Sequence, residues 1–353
     1  MIKSFFAASN SAQGFKNYYG ECFARADRLF IVKGGPGTGK STFIRRIAER
    51  ANENGFECEM YFCSSDHTSL DGVLFLSDNG RIGVIDGTHP HPYVERLPGL
   101  REEILNTGMF WDRKQLVGNN ENIRKLCMEK NRQYDRAYLY LRACGNLRAV
   151  INSYIEDMLD IDKMKACISR MMRGIGNGDG YKNLPALVNC IGMKGEAHLD
   201  TFEREADKIF VLRGDMGESA FLIELDKCLR DKGMSIRTAY HPIYDREIEG
   251  IFVEKMKYWF VNESALTKDC EKSFLEKTKY INMQRFIFKD PSKAEKGDTR
   301  YCRRLLDTCV QEAKKCLARA GEAHFELEEI YKSSMDFEAL NAYMDESCRE
   351  MFG

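Results

Sequence analysis

Residues 34–42 read Gly-Gly-Pro-Gly-Thr-Gly-Lys-Ser-Thr, and this short stretch constrains the fold more than any other part of the chain. Gly34, four residues, then Gly39-Lys40-Ser41 fit the phosphate-loop pattern. Ahead of it, Leu29-Phe30-Ile31-Val32 is an apolar run of buried-strand type. Behind it, Thr42 to Ala51 place apolar residues at helical spacing, and Gly55 closes the segment. Strand, glycine loop and helix are the context the motif needs. Glycines let backbone N–H groups converge on an anion, and the helix N-terminus adds its dipole. Gly34, Gly35, Pro36, Gly37, Thr38, Gly39, Lys40, Ser41 and Thr42 are therefore expected to cradle a nucleoside triphosphate. Lys40 would reach the β- and γ-phosphates, and the Ser41 hydroxyl would ligate Mg²⁺.

Sliding the chain on itself finds a second copy of this neighbourhood. Asp27 to Gly34 align with Asp207 to Gly214, and after a loop two residues shorter Gly39-Lys40-Ser41-Thr42-Phe43 falls on Gly217-Glu218-Ser219-Ala220-Phe221. The register holds through Gly55 with Gly233 and Asp71-Gly72 with Glu249-Gly250; upstream, Gly14-Phe15-Lys16-Asn17 matches Gly180-Tyr181-Lys182-Asn183. A glutamate stands where the lysine was. A carboxylate facing a triphosphate is repulsive by several kcal/mol at short range and low dielectric, so ATP binding in the usual manner is not expected at the second loop.

The 353 residues and this repeat imply two units, 1–168 with the intact loop and 169–353 with the degenerate one, each ending in a helical extension. A composition of 43% hydrophobic residues supports a core in each. Lys+Arg 53 against Asp+Glu 54 leaves a net charge of −1, so no global field points to nucleic acid or an anionic membrane. No apolar run approaches the ~18 residues of a membrane span, and the start lacks a signal-peptide core. The thirteen cysteines are odd in number and contain no Cys-x-x-Cys pair, which reads as reduced thiols in a cytoplasmic protein.

Strands are expected at 3–10, 29–32, 58–63 and 82–88, with a helix over Phe15–Phe23, and strands alternating with helices predict an α/β fold of mainly parallel sheets. From about 100 to 170, and again over roughly 299–350, the pattern is helical and highly charged. Ala137, Tyr140, Cys144, Leu147, Ile151 and Tyr154 form a stripe, matched by Leu306, Cys309, Ala313, Cys316, Ala320, Ala323, Leu327 and Ile330. Ordinary core-facing helices explain such stripes, and so does a pseudo-symmetric pairing of the two tails. Gly145 and Gly321 correspond and suit a bend or a close approach.

The remaining chemistry candidates lie at strand ends of the first unit. Asp86 closes an apolar strand, the position of a Walker-B carboxylate that holds Mg²⁺ through water. Asp66 follows the strand after the loop helix, where a switch residue or base sits in some such enzymes; turn or cap roles are the plain alternative for both. In the second copy Asp86 becomes Asn262 and Asp66 becomes Tyr244, so the carboxylates vanish together with the lysine. His89 and His91 form a His-x-His pair without a third metal ligand at sensible spacing, and His67 reads as a loop histidine. No arginine can be named as a finger; Trp111 and Trp259 read as packing residues.

Phe5-Phe6-Ala7-Ala8-Ser9-Asn10, the 34–42 loop, Cys63-Ser64-Ser65-Asp66 and Gly83-Val84-Ile85-Asp86-Gly87-Thr88 resemble an uncharacterised bacterial family of duplicated P-loop ATPases. The resemblance implies tandem P-loop domains and binding of ATP and Mg²⁺, with no established substrate. The family's second loop can be intact; here it reads Gly214-Asp215-Met216-Gly217-Glu218-Ser219. Three functions compete on these residues. The favoured one is a Mg²⁺-dependent ATPase using Lys40, Asp66 and Asp86, with the second unit as a regulatory or interaction scaffold for a protein or small-molecule partner still to be identified. A small-molecule or nucleotide kinase is the runner-up, although no Arg-rich lid is evident, and a non-enzymatic nucleotide switch is third.

Overall fold

The computed structural model describes residues 2–89 and 93–352. In the first half the chain forms β1 (Ile2–Phe6), β2 (Ala8–Ser11), β3 (Gly14–Asn17), α1 (Tyr19–Cys22), β4 (Arg28–Lys33), α2 (Lys40–Glu53), β5 (Cys58–Phe62), β6 (Leu70–Ser77), β7 (Gly80–Asp86) and β8 (Glu102–Asn106). Helices α3 (Arg113–Gly118), α4 (Asn120–Glu156) and α5 (Ile161–Met171) follow. The second half contains β9 (Asn183–Pro185), β10 (Asn189–Gly192), β11 (Gly195–His198), α6 (Thr201–Glu205), β12 (Lys208–Arg213), α7 (Glu218–Asp231), β13 (Ile236–Tyr240), β14 (Ile248–Val253), β15 (Tyr258–Asn262), α8 (Lys268–Ser273), β16 (Thr278–Asn282), α9 (Lys293–Ser333) and α10 (Phe337–Phe352).

Each half builds a six-stranded sheet, in the orders β1-β5-β6-β7-β4-β8 and β9-β13-β14-β15-β12-β16. Each sheet mixes parallel and antiparallel pairs and is flanked by helices. In the first, only β6 runs against its neighbours, so the other strands share one direction. The apolar runs of β4 and β7 are buried because a strand covered on both faces has no solvent side to alternate with. Helix α2 buries Phe43, Ile44, Ile47, Ala48 and Ala51, the stripe its spacing predicts.

Several expectations are corrected. The helical pattern expected from about 100 starts only at α3, because Glu102–Asn106 pairs in parallel with β4 as the edge strand β8. The single strand over 3–10 is two, broken at Ala7, with β2 turning back onto β3 as a hairpin. The helix over Phe15–Phe23 shrinks to Tyr19–Cys22, because Gly14 at φ 102 makes the hairpin turn and the Asn17 side chain accepts from the Tyr19 N–H (2.8 Å), which starts the helix late. Strand β6 was not anticipated; a tight turn at Ser77–Gly80, with Gly80 at φ 107, folds it onto β7.

Helices α4 and α9 pack antiparallel, joining Ala137, Leu141 and Cys144 to Val310, Ala313, Cys316 and Leu317, and Leu126 to Ala323 and Leu327. The anticipated stripe holds at Ala137, Cys144 and Ile151, but Tyr140 is exposed and Leu141 takes the buried place. A Cβ on Gly145 would lie 2.7 Å from Ala12 Cβ, and one on Gly321 2.8 Å from Met193 Cβ, so both glycines mark a close approach.

Beyond these long helices the tails cross. Helix α10 packs Leu340, Met344, Cys348 and Met351 against Phe43 and Ile44 of the first half, whereas α5 packs Met164, Cys167 and Ile168 against Phe221, Leu222 and Leu225 of the second. Two pairs of backbone bonds repeat at an offset of 176 residues. Asp112 N donates to Ser334 O (2.7 Å) as Phe288 N does to Met158 O (3.1 Å), and Asp336 N donates to Phe110 O (2.9 Å) as Asp160 N does to Phe286 O (2.7 Å). Each half thus closes its sheet with the other half's tail.

Candidate functional site

The glycine-rich loop leaves β4 at Lys33, whose ammonium bonds the Gly87 (2.8 Å) and Tyr93 (3.2 Å) carbonyls and ties the end of β7 to the loop's first residue. The Thr38 hydroxyl donates to Gly35 O (2.9 Å), and Thr107 Oγ1 bonds Lys33 O (3.0 Å) and Thr38 Oγ1 (3.1 Å), fixing the loop from inside. Gly37 and Gly39 adopt φ 70 and 75, the left-handed region that costs other residues about 1–2 kcal/mol. Such alternation turns successive N–H groups toward one point. Helix α2 starts at Lys40 with no acidic residue in its first turn, so nothing of its own neutralises the N-terminal dipole.

Lys40 is nearly buried, with Nζ 2.6 Å from Gly35 O, 3.2 Å from Gly34 O and 3.5 Å from Asp86 Oδ2. The Ser41 hydroxyl accepts from Leu70 N (2.7 Å), and Asp86 Oδ1 accepts from Thr88 N and Oγ1 (2.9 and 2.6 Å). Lysine, hydroxyl and carboxylate, forty-six residues apart from Lys40 to Asp86, are thus gathered around one helix N-terminus. Asp66 faces a different partner. Its carboxylate pairs with Lys194 from the β10–β11 turn (2.8 Å) and bonds Thr68 (2.8 Å). Burial raises its pKa, but these hydrogen bonds and the lysine outweigh burial and hold it below the usual carboxylate value. His89 is exposed, and His91 lies outside the described residues; among the described residues no cluster of three metal-ligating side chains occurs.

The second half supplies residues that sequence reasoning did not find. The last turns of α9 lie on the loop: a Cβ at Gly37 would fall 2.5 Å from Glu328 O and 3.0 Å from Lys332 Cγ, and one at Gly35 would fall 3.0 Å from Trp111 and 3.6 Å from Tyr331. Gly39 faces Leu340 and Met344 of α10. A signal was present in the sequence, since Lys194 and Lys332 correspond to Gln13 and Glu156 in the other half, but nothing local ties either to the loop.

The second loop is built alike and filled differently. Ser219 Oγ accepts from Ile248 N (3.0 Å), the bond Ser41 makes with Leu70. Glu218 is buried and accepts from Met216 N (3.0 Å), so the chain's own carboxylate occupies a loop N–H. Burial pushes the Glu218 pKa up. Arg148 of α4 forks onto Glu247 (2.8 Å through both Nε and a terminal nitrogen), Arg303 pairs with Asp215, and Leu159 packs on Gly217.

No helix among the described residues is long and apolar enough to cross a membrane, and the described cysteines are free thiols. Comparison with known proteins gives no match: no family model fits the chain, and no curated protein or solved structure matches it.

Proposed function

We propose that the chain is a duplicated P-loop protein that binds ATP with Mg²⁺ at residues 34–42 and hydrolyses it. The observation that carries the reading is the convergence of Lys40, Ser41 and Asp86 on the N-terminus of a helix 14 residues long, behind a loop with two left-handed glycines. The matching strand orders of the two sheets and their matched hydrogen bonds support duplication. Ser41 and Asp86 carry the donor set for Mg²⁺, oxygen only, as that hard cation prefers. When bound, Mg²⁺ neutralises charge on the phosphates. Lys40, now satisfied by the carbonyls of Gly34 and Gly35, would transfer its hydrogen bonds to phosphate oxygens, and the Gly37–Lys40 N–H groups would position them.

Glu218 argues that the second loop has no such role, and cytoplasmic residence is part of the same proposal, supported by thirteen cysteines without a Cys-x-x-Cys pair. The test compares binding of a nonhydrolysable ATP analogue and phosphate release in wild type, Lys40→Ala and Glu218→Ala. Lys40→Ala abolishes turnover and weakens binding strongly; Glu218→Ala leaves affinity within about twofold. Equal losses in both variants would reassign the site, and γ-label appearing on a metabolite rather than as free phosphate would favour a kinase.

A further inference from the structure

The last turn of α9 sits on the glycine loop of the opposite half. Lys332 touches it with its stem, since a Cβ at Gly37 would lie 3.0 Å from Lys332 Cγ and 3.2 Å from Lys332 N. Its ammonium is turned away onto its own helix, 2.7 Å from Glu329 and 3.8 Å from Glu328, and the side chain is 45% exposed. A long, unbranched, half-exposed stem beside the loop can exchange a surface carboxylate for a phosphate at small cost, because exposed ion pairs on a helix contribute little to stability.

The other half provides an internal control. The backbone bonds that repeat at an offset of 176 fix Met158 opposite Ser334 and Asp160 opposite Asp336, so position 156 corresponds to 332. That residue is Glu156. Where Lys40 is replaced by Glu218, the residue at the position equivalent to Lys332 is also reversed in charge.

We propose that Lys332 is a catalytic residue for ATP hydrolysis at the first loop, a cation delivered by the second half of the same chain. This rests on the ATPase reading above. In the reaction a water oxygen bonds to the γ-phosphorus while the bond to the β,γ-bridging oxygen breaks. The electron pair of that bond leaves with ADP, and the water proton passes to the released phosphate or to solvent. Lys332 keeps its own protons and lies against the bridging and γ-oxygens as negative charge shifts onto them. The second half is then part of the active site, and the crossing of the tails is what brings it there.

The experiment uses the full chain and measures kcat for phosphate release, affinity for a nonhydrolysable ATP analogue, and the melting temperature of Lys332→Ala, Lys332→Arg and Lys332→Glu. Removing one preorganised group that stabilises transition-state charge costs about 10²–10³-fold in kcat. The proposal expects that loss in Lys332→Ala with analogue affinity within about threefold and an unchanged melting temperature, a larger loss in Lys332→Glu, and partial recovery in Lys332→Arg. Turnover by Lys332→Ala within threefold of wild type overturns the proposal alone. Parallel loss of affinity, turnover and melting temperature overturns it too, in favour of a packing role. A wild-type chain that neither binds the analogue nor releases phosphate overturns the ATPase reading together with it.

Discussion

Glu249 is the second residue of β14, inside the second half, and its replacement by glutamine should change how stability depends on pH. The side chain is 4% exposed, Asn189 Nδ2 donates to Oε2 at 2.8 Å, and the neighbouring acids are Glu203 and Glu247. Burial raises its pKa from 4.5 to about 8, with the two glutamates adding to the rise and Asn189 opposing it. The folded-state pKa exceeds the unfolded one, so its contribution is fully present below pH 4.5 and is lost as pH rises toward 8. Within that window the unfolded chain ionises while the folded carboxyl stays protonated, at a cost of about 1.4 kcal/mol per pH unit. Between pH 5 and pH 7 this amounts to about 3 kcal/mol. Glutamine keeps an oxygen for Asn189 and does not titrate. Urea unfolding at pH 5, 6, 7 and 8 should therefore show Glu249→Gln gaining on wild type by about 1.4 kcal/mol per unit up to pH 7 and less beyond, with Glu203 superimposing its own slope on both. Parallel stability–pH curves for the two proteins would refute the reasoning, since Glu249 would then be ionised in the fold or open to water.

Across the two halves, Arg237 bonds Glu59 at 2.7 Å and Glu254 at 2.9 Å, and although burial raises the Glu59 pKa, Arg237 and Arg25 hold it down at about 2. Arg237→Met leaves Glu59 with Arg25 and Tyr61 as its remaining partners and should cost about 1–3 kcal/mol at neutral pH, read by chemical denaturation; the loss should shrink in Glu59→Gln/Arg237→Met, and equal losses would mean the charge is not what matters. Gly321→Ala places a methyl 2.8 Å from Met193 Cβ, the root of a side chain that moves only with its backbone, and should lower stability by about 1–3 kcal/mol in a thermal melt. Gly297→Ala, with open space around it in the same helix, serves as control and should not destabilise.

The loop and its flanks were readable because their determinants are local. An apolar run, a glycine pattern and a helical stripe over Leu29–Ala51 leave few alternatives, and Asp86 at a strand end follows from the next apolar run. The failures were also local in origin. Over Phe15–Phe23 helical spacing competed with an Asn17 cap and a Gly14 turn, and the turn chemistry won; β6 was passed over because the turn at Ser77–Gly80 was not read as a hairpin.

What the chain determines by itself is which glycine loop carries a lysine and which a glutamate, since Lys40 and Glu218 are matters of residue identity. Tertiary structure decided which parts meet. Lys332 lies 292 residues beyond Lys40 and reaches the loop because α4 and α9 pack antiparallel and the helices beyond them cross to the opposite sheets. Hydrophobic periodicity marks a face to be buried but carries no address for its partner, because apolar burial is non-directional. The destination of each tail was settled by shape, by glycines that let the hairpin turns at Ala12 and Met193 approach the long helices, and by the paired backbone bonds that lock Asp112 to Ser334 and Phe288 to Met158.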